Sequence, residues 1–208
     1  MRILVTGFEK FGPNDLNPTA LLMERLAGVD GVTAAVLPVE YHTSVKQFEA
    51  LLDEHRPDVA VSFGLARSYD QIRLERAALN LDEAAVPDNA GVLRCGLRIA
   101  EDGPVGYWST LPVDRLIAAL SEAGLPVAAS GHAGGYVCNH LFYGVRHALE
   151  RRCWPLPMGF VHVPPLPQQI AGEAGRTGLG IDEIERAARI ILSELGVDQN
   201  RSPQNHIP

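Results

Sequence analysis

One cysteine stands where a tight turn leads into a predicted helix. Residues 134–141 read GGYVCNHL, so two glycines, an aromatic and a β-branched residue precede Cys138. The apolar residues that follow have the spacing of one helix face: Leu141, Val145, Ala148 and Leu149. A helix start offers free N–H groups and a favourable dipole, both of which stabilise a thiolate. A free cysteine is equally common as a small buried apolar side chain, so position alone leaves both interpretations open.

A cysteine nucleophile needs a base and a group that orients the base. His162 stands in GFVHVPPLP, near the end of an apolar strand. A polar ring at such a position is unusual unless it has a hydrogen-bond partner or a function. Glu75 stands between Leu74 and Arg76 in the largely apolar run IRLERAALNL. The alternatives are a histidine that is merely hydrogen-bonded and a Glu75–Arg76 pair that faces solvent. Sequence reasoning alone does not choose between them.

The other histidines and motifs offer less. His140 and His147 share a helix face and are expected at the surface or as satisfied core residues, whereas His42 and His132 lie at element ends. The sequence contains no G-x-S-x-G elbow, Walker loop, H-E-x-x-H or G-x-G-x-x-G motif. The glycines after the first strand enclose two phenylalanines, which suit an apolar pocket or the core better than a phosphate.

Composition excludes several classes of protein. The chain has 208 residues, a net charge of −7 and no basic stripe, which argues against a nucleic-acid partner. No apolar run approaches the roughly 18 residues that cross a bilayer, and the first residues lack the features of a signal peptide. Three cysteines form no pattern of disulfides or metal ligands. We therefore expect a cytoplasmic protein with reduced thiols.

Strand-like and helix-like segments alternate along the chain. Strands are predicted at residues 2–8, 32–39, 58–64, 126–130 and 158–164. Helices are predicted at 17–28, 43–55, 112–124 and 181–195, with 71–81 ambiguous. This alternation indicates a parallel or mostly parallel sheet with helices on both faces, built as one domain over residues 1–196.

Two segments fall outside the alternation. Residues 82–110 carry Pro, Gly, Asp and Asn without clear periodicity, so we expect a long connection or a small hairpin excursion. Residues 197–208 are polar and are expected to fray. In open α/β sheets, ligands bind outside the carboxyl ends of the strands, so Cys138, His162 and Glu75 are expected to converge at one rim of the sheet.

Several blocks taken together resemble one family. In chain order these blocks are ILVTGFEKFG, ERAALN, VPDN, YWSTLP, GLPVAAS, AGGYVCNHLFYG and GFVHVPPLPQQ. They are similar to the pyroglutamyl-peptidase I family of cysteine peptidases over most of the chain. Such a series in the family's order is much more specific than any single block.

The resemblance implies a fold, a site and a reaction. The fold is an α/β/α sandwich of three layers with a mixed, mainly parallel central sheet, of the phosphorylase/hydrolase-like type. Cys138 is the implied nucleophile, His162 the base and Glu75 the acidic member. The implied pocket for the lactam ring is built from Phe8, Phe11, Leu65, Val86, Tyr136 and Val137. The reaction is removal of an N-terminal pyroglutamyl residue from a peptide.

The resemblance also implies the cofactors, partners and location of the protein. It predicts no metal and no cofactor, with N-terminally pyroglutamylated peptides as partners and neither nucleic acid nor membrane. Members of the family are cytoplasmic and commonly tetrameric, which predicts a homo-oligomer, either a dimer or a tetramer.

The chain departs from the family pattern around the expected site. Leu65 stands where the family has a glutamine, and Arg67 and Ser68 stand where glycines are usual. Ala85 replaces an arginine just before the VPDN element, and His132 replaces a small residue. Two alternatives to the family reaction follow: a divergent amidase that acts on another small acyl or lactam group, and a catalytically silent binding protein. The hypothesis that Arg67 compensates for the arginine lost at residue 85 also follows.

Overall fold

A computed structural model of the chain describes residues 1–12 and 16–197. Ten strands occur in these ranges: β1 (Ile3–Phe8), β2 (Val32–Leu37), β3 (Val59–Leu65), β4 (Ile72–Glu75), β5 (Ala77–Leu79), β6 (Asp82–Glu83), β7 (Cys95–Leu97), β8 (Gly106–Trp108), β9 (Val127–Ser130) and β10 (Met158–Val163). The helices are α1 (Pro18–Leu26), α2 (Tyr41–His55), α3 (Val113–Glu122), α4 (Val137–Arg151) and α5 (Ile181–Val197), with a short 3₁₀ helix at Pro167–Ile170.

The central sheet has six strands in the order β2-β1-β3-β10-β4-β9. Neighbouring strands are parallel except at one place, where β10 and β4 are antiparallel. Strands β4 and β9 therefore run against the other four. The prediction of a mixed, mainly parallel sheet is confirmed.

Helices cover both faces of this sheet. Alternate strand residues point to opposite sides. Thus Val61 and Phe63 join the core beneath α1, α3 and α5, whereas Ala60 joins the core beneath α2 and α4. The central strands β1 and β3 are buried throughout, as expected for a sheet covered twice. The result is the three-layer arrangement that the sequence predicts.

The predicted element bounds differ from the structure in a few places. Helix α2 begins two residues earlier than predicted, and the ambiguous stretch 71–81 forms β4 and β5. Residues 82–110 form the expected excursion, in which β6 pairs with β7 while β8 returns to pair with β5. Helix α5 continues to Val197, and the rest of the predicted tail, residues 198–208, lies outside the described residues. No helix in the described part of the chain is long and apolar enough to cross a membrane.

A close contact joins the end of β1 to the start of α1. Asn17 caps α1 by accepting a hydrogen bond from the Thr19 N–H. The Thr19 hydroxyl accepts a bond of 2.9 Å from the N–H of Phe8. Gly7 permits this approach, since a Cβ there would lie 2.8 Å from the Thr19 carbonyl carbon. The contact fixes the position of Phe8 at the end of its strand.

Replacing Gly7 by alanine is expected to lower the free energy of unfolding by roughly 1–3 kcal/mol, because backbone atoms of α1 must move to admit the methyl group. Gly131 is a matched control, because its added Cβ would meet no atom within 4 Å. Urea denaturation of both variants measures the difference. Equal stability of Gly7→Ala and Gly131→Ala would contradict the packing argument.

Candidate active site

Two glycines shape the turn that leads to Cys138. Gly134 has φ +82°, a conformation that glycine adopts without steric cost. Gly135 lies against the excursion, where an added Cβ would be 2.9 Å from the carbonyl oxygen of Glu83. The chain then turns into α4 at Val137, so Cys138 is the second helical residue and is half-buried. The prediction that Cys138 lies in the first turn of a helix is confirmed.

His162 and Glu75 lie on the same face of the sheet. His162 is paired directly with Arg73 across the antiparallel β10–β4 ladder, and Glu75 is two residues further along β4. The alternation of side chains therefore turns Glu75 and His162 toward α4, while Leu74 points into the opposite core. The Nδ1 of His162 lies 2.7 Å from Oε1 of Glu75.

The sulfur of Cys138 completes this arrangement. A side-chain hydrogen bond joins Cys138 to His162. Gly64 of β3 lies beside His162, and a Cβ there would be 2.9 Å from the sulfur and 2.8 Å from the Phe160 ring. The missing side chain at residue 64 thus provides the space for the sulfur. The three expected residues meet on the sheet face beneath α4, and Glu75 reaches it from a strand that runs in the opposite direction.

The His162–Glu75 pair is buried, with Glu75 fully inaccessible and His162 5% exposed. Burial of the His162 ring lowers its pKa, but hydrogen bonds and charge interactions with Cys138 and Glu75 outweigh this and raise the pKa to about 9. The Phe160 and Tyr69 rings flank the imidazole, with centroids 4.9 and 5.9 Å away. The raised pKa of His162 favours the protonated imidazole at neutral pH, with Glu75 on one side and the sulfur of Cys138 on the other.

The structure does not contain the alternative contacts that the sequence allowed for Glu75 and the other histidines. Arg76 bonds Asp114 at 2.5 Å, so no solvent-facing Glu75–Arg76 pair forms. His140 is a satisfied core residue, with Nδ1 2.9 Å from a carboxylate oxygen of Asp82. The exposed His132 accepts a bond from the Gly134 N–H and so supports the turn before α4.

His147, His42 and the other two cysteines make their contacts or are exposed elsewhere in the described part of the chain. The Nδ1 of His147 lies 2.9 Å from the Tyr107 hydroxyl, and His42 is exposed beside His140. The thiols of Cys95 and Cys153 are exposed. No group of three or more His, Cys, Asp or Glu residues that could hold a metal occurs within residues 1–12 and 16–197.

A small apolar pocket opens beside the sulfur. Its cavity has a volume of about 30 Å³ and is lined by Phe8, Phe11, Asn17, Val39, Leu65, Tyr136, Val137 and Cys138. Among the described lining residues, the polar side-chain groups are the Asn17 amide, the Tyr136 hydroxyl and the thiol. The Asn17 amide is occupied in capping α1 and bonding the Glu9 carbonyl. The pocket therefore suits a compact, neutral and largely apolar group.

Val86 is the expected pocket residue that the structure leaves outside. Its side chain is 56% exposed. The neighbouring Ala84 and Asp88 point inward instead, and Asp88 holds the segment by accepting bonds from the Tyr41 and Val92 N–H groups. The expectation that Val86 forms a pocket wall is corrected for this physical reason.

The altered residues around the site have separate positions. The guanidinium of Arg67 binds the carboxylate of Glu173 and the carbonyl of Gln169. Ala85 is exposed. The structure therefore does not support the hypothesis that Arg67 takes the place of an arginine at residue 85, since a partner on another segment holds its side chain. The excursion nevertheless adjoins the pocket, because the Tyr136 hydroxyl donates to the carbonyl of Pro87 at 3.0 Å.

Sequence reasoning missed several residues of the site. Gly64 carries a usable signal, since a glycine inside an apolar strand often marks close approach. Asn139 follows Cys138 directly, yet nothing in the sequence indicates that its side chain is buried. Val39 and Tyr69 reach the site only through tertiary packing, and no local pattern points to them.

A cysteine hydrogen-bonded to a histidine, with that histidine held by a buried carboxylate on an α/β/α scaffold, defines a cysteine peptidase. The family model described as pyroglutamyl peptidase matches residues 1–195. The pyrrolidone-carboxylate peptidase of Gloeobacter violaceus is 38% identical over 204 residues, which cover 96% of this chain and 99% of that protein. The one from Bacillus cytotoxicus is 36% identical over 194 residues, 91% of this chain and 90% of that protein. The chain therefore belongs to the pyroglutamyl peptidase family.

Solved structures agree with this assignment. The crystal structure of pyroglutamyl peptidase I from Bacillus amyloliquefaciens superposes with a TM-score of 0.91 at 33% identity, covering 98% of this chain and 99% of that one. A mutant pyrrolidone carboxyl peptidase from Pyrococcus furiosus gives a TM-score of 0.89 at 32% identity, covering 96% and 99%. The fold predicted from the sequence is thus shared with these structures.

The protonation of His162 provides a test of the site's electrostatics. In Glu75→Gln the pKa of His162 is expected to fall from about 9 by roughly 1–3 units, because a carboxylate that favours the imidazolium is removed. NMR titration of the imidazole measures this change. Asp114→Asn removes a carboxylate that bonds Arg76 and is the control. A pKa that is unaffected in Glu75→Gln would contradict the assignment of the pair.

Proposed function

We propose that this protein removes the N-terminal pyroglutamyl residue from peptides, with Cys138 as nucleophile, His162 as acid and base, and Glu75 as the group that orients His162. The observation that carries the proposal is the buried hydrogen-bonded series from Glu75 through His162 to Cys138, beside an apolar pocket. Family membership supports the same reaction. Residues 1–196 act as one peptidase domain in this proposal.

The proposed chemistry has two stages. The Cys138 thiolate attacks the carbonyl carbon of the pyroglutamyl residue, and the tetrahedral oxyanion accepts bonds from free backbone N–H groups at the start of α4. Collapse breaks the C–N bond, and protonated His162 gives its proton to the leaving amine. Neutral His162 then takes a proton from water, which attacks the thioester and releases pyroglutamate.

Glu75 has a defined part in this cycle. Its carboxylate lies 2.7 Å from Nδ1 of His162, so Nδ1 keeps its proton and Nε2 remains the nitrogen available to Cys138. The charge also stabilises the imidazolium that gives up its proton in the first stage. Complete burial strengthens the interaction, since little water screens it.

The pocket supports selection of a neutral five-membered lactam. Phe8, Phe11, Leu65 and Val137 offer apolar surface, and Tyr136 adds an aromatic face whose ring lies 6.1 Å from that of Phe11. A pyroglutamyl ring carries no charge, so the pocket requires no charged receptor. Val86 contributes at the mouth at most, on the exposed segment next to Pro87.

Association and location complete the proposal. The excursion and its surroundings expose large apolar side chains: Leu81, Val86, Val92, Leu93, Leu97, Val105 and Trp108. Exposed apolar surface of this kind is typical of contacts between subunits. We infer a cytoplasmic homo-oligomer, a dimer or tetramer as in the family. Its partners are N-terminally pyroglutamylated peptides.

The nucleophile is tested by substitution. Cys138→Ala is expected to fold and to lose at least about 10³-fold in kcat on a pyroglutamyl-arylamide, because no other group near the acyl carbon forms the thioester. Cys95→Ala and Cys153→Ala alter exposed thiols and are expected to keep their activity. Near-native turnover by Cys138→Ala would refute the mechanism.

A panel of arylamides separates the proposed reaction from its alternatives. We expect kcat/KM for the prolyl-arylamide to be lower than for the pyroglutamyl-arylamide by at least about 10²-fold, because a protonated amine loses its hydration in an apolar pocket. An acetyl-arylamide lacks the ring and is expected to react poorly. Comparable turnover of the acetyl compound would favour a general amidase, and binding without turnover of any compound would favour a silent binding protein.

A further inference from the structure

Three consecutive residues at the start of α4 bond to three different parts of the molecule. Cys138 bonds His162 of β10, Asn139 bonds Leu79 at the end of β5 and Leu81 two residues further on, and His140 bonds Asp82 of β6. The proposed reaction uses only the first of these bonds. The side chain of Asn139 is completely buried directly beside the sulfur-bearing residue.

The side-chain amide of Asn139 bonds the backbone of β5 as the backbone of a paired strand would. Its Oδ1 accepts a bond of 2.9 Å from the Leu79 N–H, and its Nδ2 donates to the carbonyls of Leu79 and Leu81, both at 2.9 Å. One side chain thus satisfies three backbone groups along the open side of β5, whose other side pairs with β8. Buried backbone groups without such partners are costly.

Asn139 and His140 together attach the first turn of α4 to residues 79–82. The N-cap residue Tyr136 makes no side-chain capping bond in the part of the chain that the structure describes. Strand β5 begins two residues after Glu75, so Asn139 ties the helix that carries Cys138 to the same stretch of chain that carries Glu75. Glu75 and Cys138, the two ends of the hydrogen-bonded series, are therefore both attached to residues 75–81.

We propose that Asn139 is a positioning residue, which holds the sulfur of Cys138 against His162 by fixing the first turn of α4 to residues 79–81. It lies outside the pocket lining and acts through Cys138. A displacement of about 1 Å in a reacting group lowers rates by roughly 10²-fold, so loss of this attachment acts on the chemical step. The proposal rests on the role proposed for Cys138.

Asn80 offers a matched control. It is also buried, and its amide makes four bonds, to the N–H groups of Ile99 and Ala100 and to the carbonyls of Ala100 and Gly103. These bonds hold the excursion at residues 99–103 and do not involve α4. A variant of Asn80 therefore loses a buried network on the same stretch of chain, while the side chain of Asn139 keeps its own three partners, the backbone groups of Leu79 and Leu81.

The experiment compares Asn139→Leu, Asn139→Asp and Asn80→Leu with the parent protein. Leucine keeps the branched shape of asparagine, with more volume, and removes every bond, whereas aspartate keeps the size and the acceptor for the Leu79 N–H. Each variant is assayed for Tm, for kcat and KM on a pyroglutamyl-arylamide, and for the pKa of His162 by NMR. The last readout reports directly on the contact between Cys138 and His162.

We expect both Asn139 variants to lose about 10- to 100-fold in kcat, with KM changed less than about threefold. In Asn139→Leu the pKa of His162 is expected to fall below about 9, because its bond to Cys138 is one cause of the elevation. Asn80→Leu is expected to lower Tm while keeping kcat and the pKa of His162.

Three results would overturn the proposal. The first is a folded Asn139→Leu variant whose kcat and His162 pKa equal those of the parent. If Asn139→Leu does not fold, the kcat of Asn139→Asp provides the same test. The second is a loss of kcat in Asn80→Leu equal to that in the Asn139 variants, because the loss would then reflect general stability. If the parent lacks turnover, the proposed function fails, and an unchanged His162 pKa in Asn139→Leu would separately overturn the positioning role.

Discussion

The bond between Glu75 and His162 is the interaction on which the rest of the site depends. A fully buried carboxylate is costly unless it is paired and hydrogen-bonded, and Oε1 finds its partner in Nδ1 of His162 at 2.7 Å. This pairing requires β4 to lie next to β10 with a register that turns both side chains to one face. The antiparallel neighbours in an otherwise parallel sheet are thus tied directly to the chemistry.

Missing side chains matter as much as present ones. Gly64 leaves space for the sulfur and the Phe160 ring, Gly135 lets the excursion touch the turn before α4, and Gly7 admits the start of α1 against β1. Each is a place where backbone or a reactive atom must approach more closely than a methyl group allows. Gly64 and Gly135 therefore make room for the sulfur of Cys138 and for the turn that leads to it.

The polar and apolar parts of the site are kept apart. The charged series lies beneath α4, whereas the pocket beside it is apolar, with the Asn17 amide already engaged. Attack on an acyl carbon needs the first part, and holding a neutral ring needs the second. The departure at Leu65 falls on the pocket side and leaves the charged series intact, so it bears on the range of acyl groups more than on the type of reaction.

The sequence by itself determined the alternation of strands and helices, the position of Cys138 in the first turn of its helix and the family, because these depend on local periodicity and on ordered blocks of residues. The direction of β4, the outward turn of Val86, the ion pair of Arg67 with Glu173 and the burial of Asn139 were decided only by the tertiary structure. Each depends on which distant segment lies alongside, and a periodic pattern fixes the face of an element without fixing its neighbour or its direction. Glu75 shows this most clearly: its own segment allowed a pair with Arg76, and only the strand opposite supplied His162.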